Sequence, residues 1–428
     1  MSHPHSSQKF TRRDFLKLGG GALAAAAGAY LVPQAVSAMA GALRASKTSA
    51  AVSAAAAAAT PLDRRYHLAV TDGWFHLPRP GVDTTFHPDP WSPDLDTHNT
   101  YTFGFRNVGD LTDAQIRGQK GKVQTSSPIL YAKEGGELRI TLTNLGFATR
   151  PDLTDGHTVH FHGFPNAVPA FDGVPEMSVG VPYGRSYTYF YRLFDPGTYK
   201  YHCHFEDIEH VSFGMTGMVF IRPAANDKWA YNDASTAFDR EFALLLGEVW
   251  TQERWEGAHI QEHDWSDYDP DFWTINGRVY PDTLAPNGGG NAGGSGDLIA
   301  PAGRPDLQYQ PISSLVTCNS NDKVLLRFSN LGFQRQAMRV DGLSLRIIGK
   351  DAKFLGAQAY DTDTVDVSPG ETLDALFTAP VVAGPTVFRL YNRKLAHLNN
   401  GGLPGLGGQM TEIRVSPSGV PAQGEPNT

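Results

Sequence analysis

Several things are scarce in this chain of 428 residues, and each scarcity removes a class of protein. Two cysteines cannot build the disulfide framework on which small secreted domains rely. No Cys-x-x-Cys pair is present to hold a zinc ion. Positive charge is not in excess: 36 Lys and Arg stand against 44 Asp and Glu, a formal charge of −8. With no basic stripe either, a nucleic-acid-binding role is excluded. Beyond the first 40 residues no apolar run is long enough to span a bilayer. A phosphate-cradling glycine loop and a Ser-His-Asp arrangement are also missing. Glycine and proline, by contrast, are abundant (45 and 29), and aromatic and β-branched residues fall in short alternating runs. That pattern predicts an all-β sandwich rather than a helical bundle or a doubly wound sheet.

The N-terminus reads as an address. Thr11-Arg12-Arg13-Asp14-Phe15-Leu16-Lys17 is a twin-arginine motif, followed by an apolar run from Leu18 to Val32 and an Ala-x-Ala at Ala38 to Ala40. Residues 1–40 are therefore expected to be a signal peptide cleaved near Ala40, and residues 41–61 an Ala/Ser-rich spacer. The mature protein is expected in the periplasm or secreted, free of the membrane after cleavage.

Chemistry concentrates between His157 and Met215. Six of the fifteen histidines and one of the two cysteines lie in this stretch. It opens with His157, His160 and His162 in H-T-V-H-F-H-G and closes with His202-Cys203-His204, His210 and Met215. A thiolate, two imidazoles and a thioether are the ligands of a blue, electron-transferring copper. His157, Cys203 and His210 are the candidate trigonal ligands of such a type 1 copper, and Met215 the weak axial one. Strand geometry sorts the remainder, because successive side chains point to opposite faces. Cys203 and His157 take one face, while His160, His162, His202 and His204 take the other, where further copper could bind at an interface.

H-x-x-H-x-H-G, then H-C-H, a later His and a Met resembles the copper-binding domain of multicopper oxidases. It is also similar to the first domain of copper nitrite reductases. The resemblance implies a copper-dependent oxidoreductase in which His160, His162, His202 and His204 hold type 2 or type 3 copper and Cys203 carries the electron toward it. A small-molecule or metal-ion electron donor, oxygen or a small anion as acceptor, and a homotrimer are further implications. Two other readings stay open: a nitrite-reductase-like enzyme with one type 1 and one type 2 copper, and a non-catalytic blue-copper electron carrier.

An internal repeat predicts the architecture. Glu137 to Phe147 matches Lys323 to Phe333, each ending in Asn-Leu-Gly-Phe, and Val181-Pro-Tyr-Gly184 is echoed by Val367-Ser-Pro-Gly370. Two cupredoxin-like Greek-key β-sandwich domains are expected, at 62–224 and 238–417. Ala224 to Asp239 is read as linker, 418–428 as tail and Asn287 to Gly296 as a flexible insertion. Aligning the repeats puts Gln336, Arg339 and Asp341 opposite His157, His160 and His162, and Arg389-Leu390-Tyr391 opposite His202-Cys203-His204. The second domain is thus expected to lack copper ligands, with His397 an ordinary loop histidine at the spacing of His210. In a trimer the outward histidines would meet Arg339, Asp341, Arg389 and Tyr391 of a neighbouring subunit. The family's three-copper site draws on eight histidines; four align here, leaving His67, His76, His259 and His263 as the other candidates. Glu206, Asp207 and Glu209 read either as a solvated turn or as an acidic patch for cations or protons. Asp172 and Glu176 are placed to accept protons near the outward histidines.

Overall fold

Alternation in the sequence becomes alternation in burial. Glu137–Asn144 exposes and buries successive residues, and its inward side chains Leu138, Ile140 and Leu142 are fully buried. The computed structural model describes residues 63–78, 99–164, 167–291 and 294–427. The signal-peptide and spacer readings lie outside them.

The first part of the chain contributes β1 (Arg64–His76), β2 (Asn99–Asn107), α1 (Asp113–Arg117), β3 (Leu130–Lys133), β4 (Glu137–Asn144), β5 (His160–His162), α2 (Pro169–Asp172), β6 (Ser186–Arg192), β7 (Gly197–His202), α3 (Asp207–Phe213) and β8 (Thr216–Arg222). They form two four-stranded sheets, β2-β1-β4-β6 and β3-β8-β7-β5. Next come β9 (Arg240–Val249), α4 (Thr251–Ala258), β10 (Phe272–Ile275), β11 (Gly289–Asn291), β12 (Leu298–Ile299), β13 (Val316–Asn319), β14 (Lys323–Asn330) and β15 (Gln336–Val340). The chain continues through β16 (Leu345–Lys350), β17 (Lys353–Phe354), β18 (Tyr360–Thr362), β19 (Thr364–Val367), β20 (Thr372–Thr378), β21 (Thr386–Asn392) and β22 (Met410–Ser416).

The second sandwich repeats the first strand for strand. Its sheets run β10-β9-β14-β20, extended by β16 and β17, and β13-β22-β21-β15, extended by β19. The parallel pairs β1–β4 and β3–β8 recur as β9–β14 and β13–β22. Parallel neighbours cannot be joined by a hairpin, so the chain crosses between sheets, as Greek-key sandwiches require. Each sandwich has its own apolar centre, one around Leu138, Ile140, Phe103 and Tyr201, the other around Val324, Leu326, Phe328 and Val340. Cys318 is buried and unpaired in the second.

The repeated Asn-Leu-Gly-Phe turn has a mechanical reason. The side chain of Asn144 accepts from Gly146 N (2.9 Å) and donates to the carbonyls of Asp155 (2.9 Å) and Val181 (3.0 Å). Asn330 accepts from Gly332 N (3.0 Å) and donates to those of Gln334 (2.8 Å) and Val367 (2.9 Å). Each asparagine therefore fastens its own turn to the segment that precedes the first ligand-bearing strand.

Three segments read as connectors are packed. In the linker, Tyr231 and Phe238 are buried against Leu325 and Ile348, and Tyr231 Oη donates to Asp374 at 2.6 Å. The glycine-rich run is not a loose insertion: its described residues include β11, paired with β12, and Gly296 O accepts from the Arg106 guanidinium at 2.6 Å. In the tail, Asn427 bonds to Ala243 N and O at 2.7 and 2.9 Å, lying along β9. Between the sandwiches the Thr198 hydroxyl of β7 meets buried charges of β14 and β20. Arg327 pairs with Glu241 (3.1 Å) and Asp374 (3.5 Å) and donates to Thr198 Oγ1 (2.9 Å). No described helix is long and apolar enough to cross a membrane.

Candidate metal centre

His157 sits where an isolated bridge to Val181 fixes the backbone ahead of β5, and Cys203 lies one residue past the end of β7. The two histidines enclose the sulfur: His210 Nδ1 is 3.2 Å from Cys203 Sγ and His157 Nδ1 is 3.8 Å away. Among the described residues, these three bring their ligand atoms within 4.8 Å of one another. Met215 is fully buried, and its backbone ties the remaining pieces, accepting from Cys203 N (3.1 Å) and donating to His210 O (2.9 Å). Thr158, unremarked in the sequence, sends its N–H toward the sulfur at 3.4 Å and accepts from His204 N at 3.0 Å through its hydroxyl. Its position beside His157 was the only signal available. Phe103 and Phe147 close the site, edge-on to His210 and tilted on His157, with ring centroids 5.5 Å apart in each pair.

Burial sets the protonation of this pocket. It pushes the Cys203 thiol up to about 11 and His210 down to about 3, and holds His157 well below its usual range, with His210 adding to the shift. Neutral imidazoles are ready to ligate; the thiol needs a cation to displace its proton. A soft sulfur flanked by two ring nitrogens, in an apolar shell, fits copper.

The loop after Cys203 turns into a helix, with Glu206 and Asp207 exposed and Glu209 half-buried. Glu206 adopts φ 45° to start α3, whose buried residues are His210 and Phe213. Asp155, missed in the sequence, joins Glu206 beside the His210 ring, their ligand atoms within 4.8 Å of one another. Glu209 is raised by burial and by its acidic neighbours Glu206 and Asp155. It lies 4.0 Å from His263, which also meets Glu256 at 3.4 Å.

On the other side of the strands His160, His162, His202 and His204 gather, with ring centroids 5.1 to 6.1 Å apart. The group is looser than the first: no three of these residues bring ring nitrogens within 4.8 Å of one another. His160 Nδ1 bonds to the carbonyl of Asp172 at 2.6 Å, and His202 Nδ1 to that of Cys203 at 2.8 Å. A carbonyl only accepts, so each Nδ1 carries the proton and each Nε2 is left free to ligate. Burial brings His202 to about 3 and His162 to about 4. The other candidate histidines are engaged elsewhere, His67 with Thr143 at 2.7 Å and His76 with Asp282 and Asp306 at 3.7 and 3.6 Å. His259 bonds to the carbonyl of Trp255.

The second sandwich corrects the repeat alignment. Strand pairing sets His160 opposite His202 and Arg339 opposite Tyr391. Cys203 N donates to Met215 O, and Asn392 N to Gln409 O; Met215 N donates to His210 O, and Gln409 N to His397 O. His202-Cys203-His204 therefore corresponds to Tyr391-Asn392-Arg393, not to Arg389-Leu390-Tyr391. The loop to the second histidine is two residues shorter in the second repeat, and an even slip leaves every side chain on the same face. His397, expected as an ordinary loop histidine, does lie in the connection between β21 and β22, but it is fully buried at the place His210 holds in the first sandwich.

Residues 116–226 and 241–401 match two family models, each described as multicopper oxidase. L-ascorbate oxidase of Nicotiana tabacum is 26% identical over 280 residues, covering 63% of this chain and 43% of that protein. Laccase-25 of Oryza sativa subsp. japonica is 29% identical over 294 residues, covering 67% and 44%. The match thus spans less than half the length of these relatives. In fold, the chain is similar to a blue copper oxidase of Nitrosomonas europaea, with TM-score 0.59 and 21% identity over 82% of this chain and 86% of that one. On the repeated sandwich, the convergent sulfur and imidazoles, and matches across both halves, this chain belongs to the multicopper oxidase family, whose members depend on copper for oxidoreductase chemistry.

Proposed function

We propose that the chain is an exported copper-dependent oxidoreductase of the multicopper oxidase type. His157, Cys203, His210 and Met215 hold a type 1 copper; His160, His162, His202 and His204 hold a second copper centre at a domain interface. Copper bound at these positions supplies one-electron redox chemistry. The observation that carries this reading is the division at Cys203. Its sulfur lies with His157 and His210, while its peptide neighbours His202 and His204 lie among the outward histidines. The backbone thus links the two centres through single residues. Asp155 and Glu206, beside the His210 ring, give the donor side a negative rim that favours a cationic small molecule or a metal ion as electron source.

Oxygen or a small anion is the acceptor in this reading. A homotrimer supplies the facing surface, for which Arg339, Asp341 and Tyr391 are suited: they are linked side chain to side chain on the exposed face of β15 and β21. The twin-arginine motif supports export to the periplasm or beyond. A nitrite-reductase-like reading with one further copper is favoured by the count of outward histidines, which among the described residues stops at four, and by the arginine and carboxylate at the aligned face. Copper stoichiometry with electron paramagnetic resonance tests both. One type 1 signal with a coupled, signal-silent pair supports the oxidase, and one type 1 with one normal signal supports the nitrite-like enzyme. A copper-loaded protein without the intense thiolate band, or one keeping that band after Cys203→Ser, rejects the proposal.

A further inference from the structure

In the second sandwich four side chains occupy the places of the first sandwich's donor set. Gln336 begins β15 opposite Val367, as His157 bridges Val181. Asn392, His397 and Gln409 reproduce the backbone hydrogen bonds of Cys203, His210 and Met215. All four are buried.

Their mutual contacts are specific. Asn392 Nδ2 donates to Gln336 Oε1 and to Gln409 Oε1, each at 2.7 Å. His397 Nδ1 is 3.1 Å from the same Gln336 oxygen. The amide orientations are fixed from outside the cluster. Gln336 Nε2 donates to the Glu248 carboxylate (3.0 Å), Gln409 Nε2 to Thr274 O (3.1 Å), and Asn392 Oδ1 accepts from Lys394 N (2.9 Å). With Gln336 Oε1 accepting, His397 must carry its proton on Nδ1, the nitrogen whose equivalent in His210 faces the sulfur. His397 Nε2 is buried without a hydrogen-bond partner among the described residues, and its ring stacks on Trp273 at 4.0 Å.

This set does not fit copper as it stands. The amide oxygens are hard donors already engaged in hydrogen bonds, no thiolate is present, and the one imidazole turns a proton inward. We propose that Gln336, Asn392, His397 and Gln409 form a latent copper site, in which amide hydrogen bonds tie together the four segments that a metal ion ties together in the first sandwich. The idea rests on the reading that His157, Cys203, His210 and Met215 bind a type 1 copper. It adds that the second sandwich keeps the pocket, lacks three of the four donors, and holds its loops in place without metal.

The test is made in the full chain carrying Cys203→Ser, so that any thiolate–copper absorption comes from the second sandwich. Adding Gln336→His, Asn392→Cys and Gln409→Met, with His397 retained, is expected to raise copper(II) uptake by one ion per chain over Cys203→Ser alone. An intense visible thiolate–copper band with the narrow copper hyperfine splitting of a type 1 site should accompany it. A folded variant, native by circular dichroism, that takes up no such copper overturns the proposal. Loading the native chain separates the two readings: absence of the band there defeats the underlying assignment, whereas a blue native chain with a folded, colourless variant defeats only this one. If the combined variant does not fold, Asn392→Ala decides. It is expected to lower the melting temperature by about 5 °C while leaving the Cys203 band unchanged; an unchanged melting temperature overturns the clamp.

Discussion

Cys203 occupies a pocket that opposes its own ionisation. The thiol is raised to about 11 by burial, whereas His210 is lowered to about 3, so at neutral pH the residues around the sulfur are deprotonated and the sulfur is not. Copper uptake must therefore release one proton, and that proton comes from the thiol. The sign is unambiguous: apparent affinity of the metal-free protein rises with pH. The expected slope is about tenfold per pH unit between about pH 6 and 8, measured by competition with a chelator that follows the visible band. A flat profile would mean the thiolate already exists before metal arrives. Thr158 belongs to this scale as well, since its N–H and hydroxyl serve the sulfur and His204 from between the two ligand groups.

Elements hold the site through their turns. Asn144 fastens the end of β4 to Val181, and Val181 is the residue that pairs with His157. Replacing Asn144 by alanine removes three side-chain hydrogen bonds and leaves the buried Gly146 N–H without its acceptor, a loss of roughly 2–4 kcal/mol. Asn144→Ala is expected to weaken copper binding too, because His157 loses its anchor, whereas Asn330→Ala should cost similar stability and leave the blue band intact. Denaturant titration and copper competition on both variants check this. The repeat that exposes these two turns was plain in the sequence, because two eight-residue strands share their alternation and the same four-residue ending. The motif order was equally plain for His157, Cys203 and His210, whose ligand atoms converge in the structure. The register at Asn392 was not. Sequence comparison held the Cys203 to His210 spacing constant, and a loop shortened by an even number leaves no mark in hydrophobic alternation. Asp155 was invisible for another reason: it reaches His210 only through folding of the loop ahead of β5.

At the scale of the molecule the two sandwiches are joined by buried ions. Arg327 has no exposed surface and answers both Glu241 and Asp374; Arg222, from β8, also reaches Glu241. Removing the cation leaves the buried Asp374 without a counter-charge, so Arg327→Ala is expected to destabilise the chain by about 3–5 kcal/mol. Guanidinium unfolding monitored by tryptophan fluorescence measures it, and the copper band should be unchanged before the transition. Composition hid this joint, because arginine and glutamate in a strand read as an outward face until a second sheet covers them. It also misled about the glycine-rich segment, where small residues suggested slack and the fold instead uses them for close approach.

The stretch from Gly296 to Gln310 carries a consequence for how the protein is made. Arg106 NH2 is satisfied by Gly296, Lys122 by Asp297, Thr125 N by Tyr309 and His76 N by Gln310. These partners emerge from the ribosome long after β8, so the half bearing Cys203 is unfinished when its own last strand is complete. A fragment ending at residue 224 should accordingly melt far below the whole chain and take up copper poorly. The half bearing Cys203 should then mature only in the company of the second sandwich.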